Sequence, residues 1–168
     1  MRSQHPPRLH AGRFGGLVVA LGLAIAPLLY AVPALGAEDK VEILSVTASS
    51  TDGMLMDAVD GDMGTAWQNK RAGEATAWLG VHFADSADLT GMRLFLDPLG
   101  NDTMIDVETS TDGEHYTPQQ RGMHATKDRL ELHFAKTVTA AYLRVRFRYT
   151  GTKAAPRFRI KELEALGS

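Results

Sequence analysis

Residues 141–149 read Ala-Tyr-Leu-Arg-Val-Arg-Phe-Arg-Tyr, with Leu143, Val145 and Phe147 alternating with arginines. A period of two is typical of a β-strand that has one face in a core and one in solvent. Similar short runs, separated by turn residues, recur along the chain at residues 41–46, 77–83, 92–96, 104–109, 130–134 and 157–163. A helical pattern is confined to about one turn near residues 54–59. We therefore predict an all-β protein, an antiparallel β-sandwich of about eight strands.

The composition indicates a single globular domain without cysteine chemistry. The chain has 168 residues, 44% of them hydrophobic, and no cysteine. These features exclude a disulfide framework, a thiolate nucleophile and a cysteine-ligated metal centre. A hard metal ion held by oxygen atoms remains compatible with this composition.

Residues 1–37 have the character of a secretory signal peptide. They contain Arg2, Arg8 and Arg13 but no acidic residue, and an apolar run extends from Phe14 to Leu35. A positive start, an apolar centre and small residues near the cleavage point are typical of such peptides. We predict cleavage after Gly36 or Ala37, export to the periplasm or the medium, and one domain over residues 38–168.

The predicted domain is acidic. Residues 38–168 hold all 20 acidic residues but 15 of the 18 lysines and arginines, a formal charge of −5. This balance lacks the electrostatic footprint of a nucleic-acid-binding protein. The alternating arginines of residues 144–148 and 157–159 leave two interpretations open. They can form a basic stripe for a phosphate or a sulfated glycan, or a solvated face that pairs across the sheet with acids such as Glu108 and Glu131.

No sequence pattern indicates catalysis. The chain lacks a Gly-x-Ser-x-Gly elbow, a His-Glu-x-x-His zinc motif, a phosphate loop and a dinucleotide fingerprint. The histidines after residue 37 are scattered, with His82 and His133 in strand patterns and His115 and His124 in loops. The sequence therefore favours a non-enzymatic protein.

Residues 57–67 read Asp-Ala-Val-Asp-Gly-Asp-Met-Gly-Thr-Ala-Trp, the densest polar segment of the chain. Three carboxylates and Thr65, with glycines that permit a tight curl, can surround a hard cation such as calcium. The segment is not an EF-hand, because position twelve counted from Asp60 is Arg71 rather than a glutamate. The alternative is a solvated acidic turn that is capped by its own aspartates.

Several segments, taken in order, resemble the coagulation factor V/VIII type C, or discoidin, domains and the related bacterial family 32 carbohydrate-binding modules. These segments are residues 46–50, 60–67 (Asp-Gly-Asp-x-x-Thr-x-Trp), 78–83, 107–116, 142–146 and 160–163. The resemblance covers residues 41–166. It implies a galactose-binding-like jelly-roll β-sandwich that binds a ligand rather than catalyses a reaction, and it implies Trp67 and Trp78 in the core.

The resemblance also implies a structural calcium ion. Asp60, Thr65 and Glu162 would supply side-chain oxygens, and main-chain oxygens would come from Asp57, Asp62, Thr65 and Lys161. Such an ion would join the first loop to the last strand, as a disulfide does in other exported domains.

A ligand is expected at loops of one end of the sandwich, where polar residues gather. The candidate loops are residues 50–55, 68–76, 99–102, 121–127 and 150–155, and the candidate ligand-binding residues are Gln68, Asn69, Lys70, Arg71, Arg121 and His124. Sugar-binding relatives usually add an exposed aromatic ring. Here the nearest loop candidate is Tyr149, at the end of a strand.

Two functions remain open from the sequence. One is a module that binds a carbohydrate or glycoprotein, and the other is a protein-interaction or structural subunit of an envelope complex. Membrane insertion is not predicted, because the paired hydrophobic spikes of some relatives are reduced to Met54-Leu55-Met56.

Overall fold

The computed structural model describes residues 39–168, which form antiparallel β-structure. The strands are β1 (Asp39–Lys40), β2 (Ile43–Ala48), β3 (Trp67–Gln68), β4 (Thr76–Leu96), β5 (Thr103–Ser110), β6 (Thr117–Met123), β7 (Arg129–Tyr149) and β8 (Arg159–Gly167). One 3₁₀ turn covers Leu55–Ala58, where the sequence predicted a helical turn. The predicted all-β class and the strand number are confirmed.

The long strands β4 and β7, of 21 residues each, form the framework. The first half of β4 pairs with β2 and with the second half of β7, and its second half pairs with the first half of β7 and with β8. The register changes between His82 and Ala87. We call β2, β5, β6 and the adjoining halves of β4 and β7 sheet A; β1, β3, β8 and the other halves form sheet B.

Apolar side chains from the two sheets meet in one core. Phe147 of sheet A stacks on Trp67 and Phe158 from the sheet B side, with ring centroids 6.4 and 5.0 Å apart. The alternating positions Leu143, Val145 and Phe147 are completely buried. This burial is the physical meaning of the period of two in residues 141–149.

The structure corrects two details of the sequence prediction. Residues 77–83 and 92–96 are parts of the single strand β4, and residues 130–134 and 141–149 are parts of β7. Trp67 is fully buried as predicted, but the prediction of Trp78 in the core is wrong. Its neighbours Ala77 and Leu79 point into the core, so the Trp78 ring lies half-buried on the outer face of sheet A.

The predicted signal peptide, residues 1–37, lies outside the described residues. The helical structure within residues 39–168 is limited to short segments, and none has the length and hydrophobicity of a membrane-spanning helix.

Candidate functional site

All five predicted ligand loops lie at one end of the sandwich, which we call the loop end. Antiparallel pairing brings the start of β4 and β5 beside the end of β7. Main-chain hydrogen bonds then connect the loops in series: Asp52 to Gln68 (3.0 Å), Gly73 to Ala155 (2.9 Å), Thr150 to Asp102 (2.8 Å) and Leu99 to Ala125 (2.9 Å), each from N–H to carbonyl. Loops that are far apart in sequence therefore form one continuous surface.

Asn69 is buried beneath this surface and holds the main chain of its loops in place. Its side chain is fully buried, and its amide donates to the carbonyl of Arg71 (2.8 Å) and to Oε2 of Glu74 (2.9 Å). Its Oδ1 accepts from the N–H of Phe158 (2.8 Å). We predicted Asn69 as a ligand-binding residue, but in this structure it is covered and joins two loops.

Glu74 provides a fixed negative charge beside Asn69. Hydrogen bonds from Asn69 and from the Ser50 hydroxyl hold the pKa of this carboxyl below its usual range. The Ser50 hydroxyl also accepts from the N–H of Lys70 at 3.2 Å. The main chain of residues 69–71 is therefore held by contacts on both sides.

Lys70 and Arg71 are exposed at the rim of the loop end. Gln68 is partly exposed, and its amide lies 3.4 Å from Oδ2 of Asp52. The same Asp52 oxygen pairs with Arg157 at 2.6 Å. The sequence analysis considered Arg157 only as part of an arginine-bearing strand and not as a loop-end residue, because its contact with Asp52 spans 105 positions.

Arg121 and His124 lie at the end of β6, beside the start of β5. His124 is exposed and its Nδ1 is 3.0 Å from the carbonyl oxygen of Thr103. Arg121 is exposed near the buried Asp106. The series of loop contacts connects both residues to Lys70 and Arg71, and among the described residues no hydrogen bond or ion pair joins the two pairs directly. The prediction that these residues bind a ligand stays a prediction.

The acidic turn of residues 57–65 is held together by its own side chains. The Thr65 hydroxyl donates to the Asp60 carboxylate at 2.9 Å, and Oδ1 of Asp60 accepts from the N–H of Asp62. Oδ1 of Asp62 accepts from the N–H of Gly64. These contacts match the capped turn that the sequence left open as one alternative.

Glu162 of β8 faces this turn although it is almost completely buried, with 5% of its surface exposed. Burial raises the pKa of its carboxyl group, and the nearby carboxylates of Glu164 and Asp60 raise it further. The hydrogen bond from the N–H of Gly61 and the charge of Lys40 lower this pKa, but the net shift is upward. Within residues 39–168, no three acidic or histidine side chains converge as a metal centre. Asp60, Thr65 and Glu162 still offer hard oxygen donors and a local excess of negative charge, which suits calcium. The prediction for Lys161 concerns its main-chain oxygen, and its side-chain ammonium pairs with Asp97 at 3.0 Å.

The outer face of sheet A carries the arginines of β7. Arg144 donates to Oε2 of Glu108 at 2.6 Å, and Arg148 donates to Asp106 at 3.0 Å. These ion pairs with β5 confirm the paired-face interpretation for Arg144 and Arg148. Arg146 differs, because its closest carboxylate is the same Glu108 oxygen at 3.6 Å.

Comparison with protein-family models matches residues 45–160 to the F5/8 type C domain. The chain belongs to this family. The family consists of non-catalytic domains, which agrees with the prediction of a non-enzymatic protein. Comparison with curated protein sequences finds no match.

Solved structures share the fold of this F5/8 type C domain. A chitosan-binding module of a Paenibacillus sp. IK-5 chitosanase/glucanase is 21% identical, with a TM-score of 0.65 over 78% of this chain and 99% of that one. A pectin-binding carbohydrate-binding module is 23% identical, with a TM-score of 0.60 over 76% and 92% of the two chains. A family 32 module of Clostridium perfringens NanJ, solved with galactose, is 17% identical, with a TM-score of 0.61 over 73% and 92%.

Proposed function

We propose that this domain binds a carbohydrate at the loop end. The observation that carries the proposal is the series of hydrogen bonds that joins five loops and places Gln68, Lys70 and Arg71 above the buried Asn69. The similar structures include a chitosan-binding module, a pectin-binding module and a module solved with galactose, and this likeness supports a carbohydrate as the ligand.

The chemistry of the rim suits sugar hydroxyl groups. Arg71 and Lys70 present several N–H donors, and the Gln68 amide both donates and accepts. The Asp52 carboxylate adds an acceptor beside them. Because the loops are connected through their main chains, little backbone entropy is lost when a ligand binds.

The test is affinity electrophoresis and calorimetry with soluble chitosan, pectin and galactan, using the purified protein and Arg71→Ala. The substitution keeps the carbonyl that Asn69 binds, so the loop is preserved. We expect affinity to fall about tenfold, the effect of losing one charge-assisted hydrogen bond. Lys136→Ala, an exposed cation on the far side of β7, is the matched control. Absence of binding to a broad glycan panel would overturn the proposal and favour a protein-interaction subunit.

We propose further that calcium binds at the acidic turn with a structural role. Asp60 and Thr65 would supply side-chain oxygens and Glu162 the distant carboxylate, with main-chain oxygens of Asp57, Asp62, Thr65 and Lys161 completing the shell. The support is the buried carboxylate of Glu162 beside Asp60. The ion would neutralise this excess negative charge and fasten the turn to β8. A calcium-dependent rise in Tm is the test.

We also propose export to the periplasm or the medium, supported by the composition of residues 1–37. Edman sequencing of the protein from cell fractions tests this. A start at Ala37 or Glu38 is expected, and an intact Met1 in the cytoplasmic fraction would contradict it.

A further inference from the structure

We propose that the outer face of sheet A holds a second subsite, formed by Trp78, Arg146 and Arg148, which binds an acidic glycan chain. The inference rests on the proposed carbohydrate function and specifies its ligand class. It concerns the strand face rather than the loops.

A cavity of about 260 Å³ opens on this face and is lined by Thr76, Ala77, Trp78, Arg146 and Arg148. In the pairing of β4 with β7, Trp78 is directly opposite Arg146, and Thr76 is directly opposite Arg148. Two arginine side chains and one indole ring therefore surround the same space, on rigid strands rather than on loops.

The charges on this face are unequal. Three arginines of β7 meet two carboxylates of β5, Asp106 and Glu108, which are 5% and 7% exposed. Glu108 is held by Arg144 through contacts of 2.8 and 2.6 Å, which leaves Arg146 at 3.6 Å from the same oxygen. The Arg146 side chain is also 38% exposed, against 17% for Arg144. One arginine is thus available for a carboxylate or sulfate of a ligand.

Trp78 supplies the apolar part of the subsite. The ring is half-buried, and the guanidinium of Arg144 lies 5.8 Å from its centroid. The guanidinium of Arg144 also lies 3.6 Å from the centroid of the Tyr116 ring, and this second contact holds the Arg144 side chain in place. A flat indole that is fixed in this way can pack against the apolar face of a sugar ring while its neighbour Arg146 binds the charged substituent.

The subsite continues the loop end. Thr76 follows the loop of residues 69–75 directly, and the N–H of Tyr149 donates to the carbonyl of Ala75 at 2.8 Å. A polysaccharide bound at the loop end can therefore extend along β4 and β7 onto Trp78 and Arg146. The local positive charge selects acidic chains, although residues 38–168 carry a formal charge of −5.

The experiment compares polygalacturonate with its methyl-esterified form, which has the same backbone without the charge, and adds alginate, hyaluronan and dextran sulfate. Calorimetry is carried out on wild type, Arg146→Gln and Lys136→Gln, since both substitutions remove one exposed positive charge. We expect Arg146→Gln to weaken binding of the acidic chains about tenfold and that of the esterified chain by a clearly smaller factor, because only the acidic chains lose charge-assisted hydrogen bonds. Lys136→Gln should change neither.

Tryptophan fluorescence gives a second readout, because Trp67 is buried and Trp78 is half-buried. An acidic chain should protect the wild-type protein from acrylamide quenching, and Trp78→Phe should abolish this protection. Circular dichroism melts confirm that the variants are folded. The inference is overturned if none of the four acidic chains binds, or if Arg146→Gln binds them like wild type. If Arg71→Ala alone reduces binding, the loop-end function stands and the subsite does not.

Discussion

The main-chain N–H of Gly61 donates a hydrogen bond to Oε2 of Glu162 at 3.0 Å, although 101 positions separate the two residues. Gly61 has a φ of +79°, a conformation that suits glycine within this tight turn. The contact fastens the acidic turn to the last strand and brings the buried Glu162 carboxylate against the turn.

In our proposal, calcium should stabilise the protein by joining the acidic turn to β8 through the Asp60 and Glu162 carboxylates. At a concentration 100 times its Kd, the ion would add about 2.7 kcal/mol, which corresponds to a Tm several degrees higher. EDTA should reverse the shift in differential scanning calorimetry, and Asp60→Asn should remove it. Asp85→Asn, an exposed aspartate in the bend of β4, serves as control. Equal melting temperatures of the wild type in calcium and in EDTA would refute the calcium proposal.

Without calcium, the stability of the protein should depend on pH through Glu162. Burial raises the pKa of Glu162 in the folded state, so the ionised carboxylate is less favourable there than in the unfolded chain. Glu162 therefore contributes to the free energy of unfolding at a pH below its pKa in the unfolded chain. This contribution is lost as the pH rises through its pKa in the folded protein. In EDTA, Glu162→Gln should flatten this decline in urea unfolding from pH 4 upward. A decline that is identical in wild type and variant would exclude Glu162 as its source.

Asp106 should have the opposite effect and make the protein less stable as the pH falls into the acid range. Burial alone would raise its pKa, but hydrogen bonds from Arg148 and the N–H of Gly122 outweigh it and hold the pKa below the usual range. This contribution is present above the unfolded pKa and is lost as the pH falls through the folded pKa. Arg148→Met should cost about 1 to 2 kcal/mol at pH 7, a modest value because Arg148 is 42% exposed. Arg146→Met should cost less, and a reversed order in urea denaturation would contradict the pairing.

Gly91 should tolerate no side chain. A Cβ at this position would lie 2.2 Å from the carbonyl oxygen of Leu132, because β4 and β7 approach closely there. Gly91→Ala should therefore destabilise the fold by about 1 to 3 kcal/mol or more in thermal unfolding. Gly100→Ala has open space around its Cβ and only a positive φ to overcome, so it should cost about 1 kcal/mol. A smaller loss for Gly91→Ala than for Gly100→Ala would argue against this close approach.

Asn69→Ala should loosen the loop end. The substitution leaves the buried N–H of Phe158 without its acceptor and should cost about 1 to 3 kcal/mol of stability. Glycan affinity should fall as well, because the main chain of Lys70 and Arg71 is no longer fixed. Gln120→Ala, an exposed amide within β6 and outside the five candidate ligand loops, is the control. Unchanged Tm and affinity for Asn69→Ala would show that Asn69 does not position this surface.

The alternation of apolar and polar residues was sufficient to predict the β-class, and the order of motifs such as residues 60–67 indicated the family. The same alternation also predicts the position of Trp78. Leu79, Val81 and Phe83 face the core, so Trp78, one position out of step with them, lies on the other face of the strand. The expectation of a core tryptophan came from the family resemblance, and the local period was the better guide. Similarly, β4 and β7 were each predicted as two strands because the residues at their bends, such as Asp85 and Lys136, resemble loop residues.

By itself, the sequence determined which residues of each strand face the core, because burial follows a local period of two. Only the tertiary structure decided that Gly61 meets Glu162, that Asn69 is covered by the loops it joins, and that Arg146 shares Glu108 with Arg144. These relationships depend on strand register and on which loops share an end of the sandwich. Residues far apart in the chain set both, so no local pattern contains them.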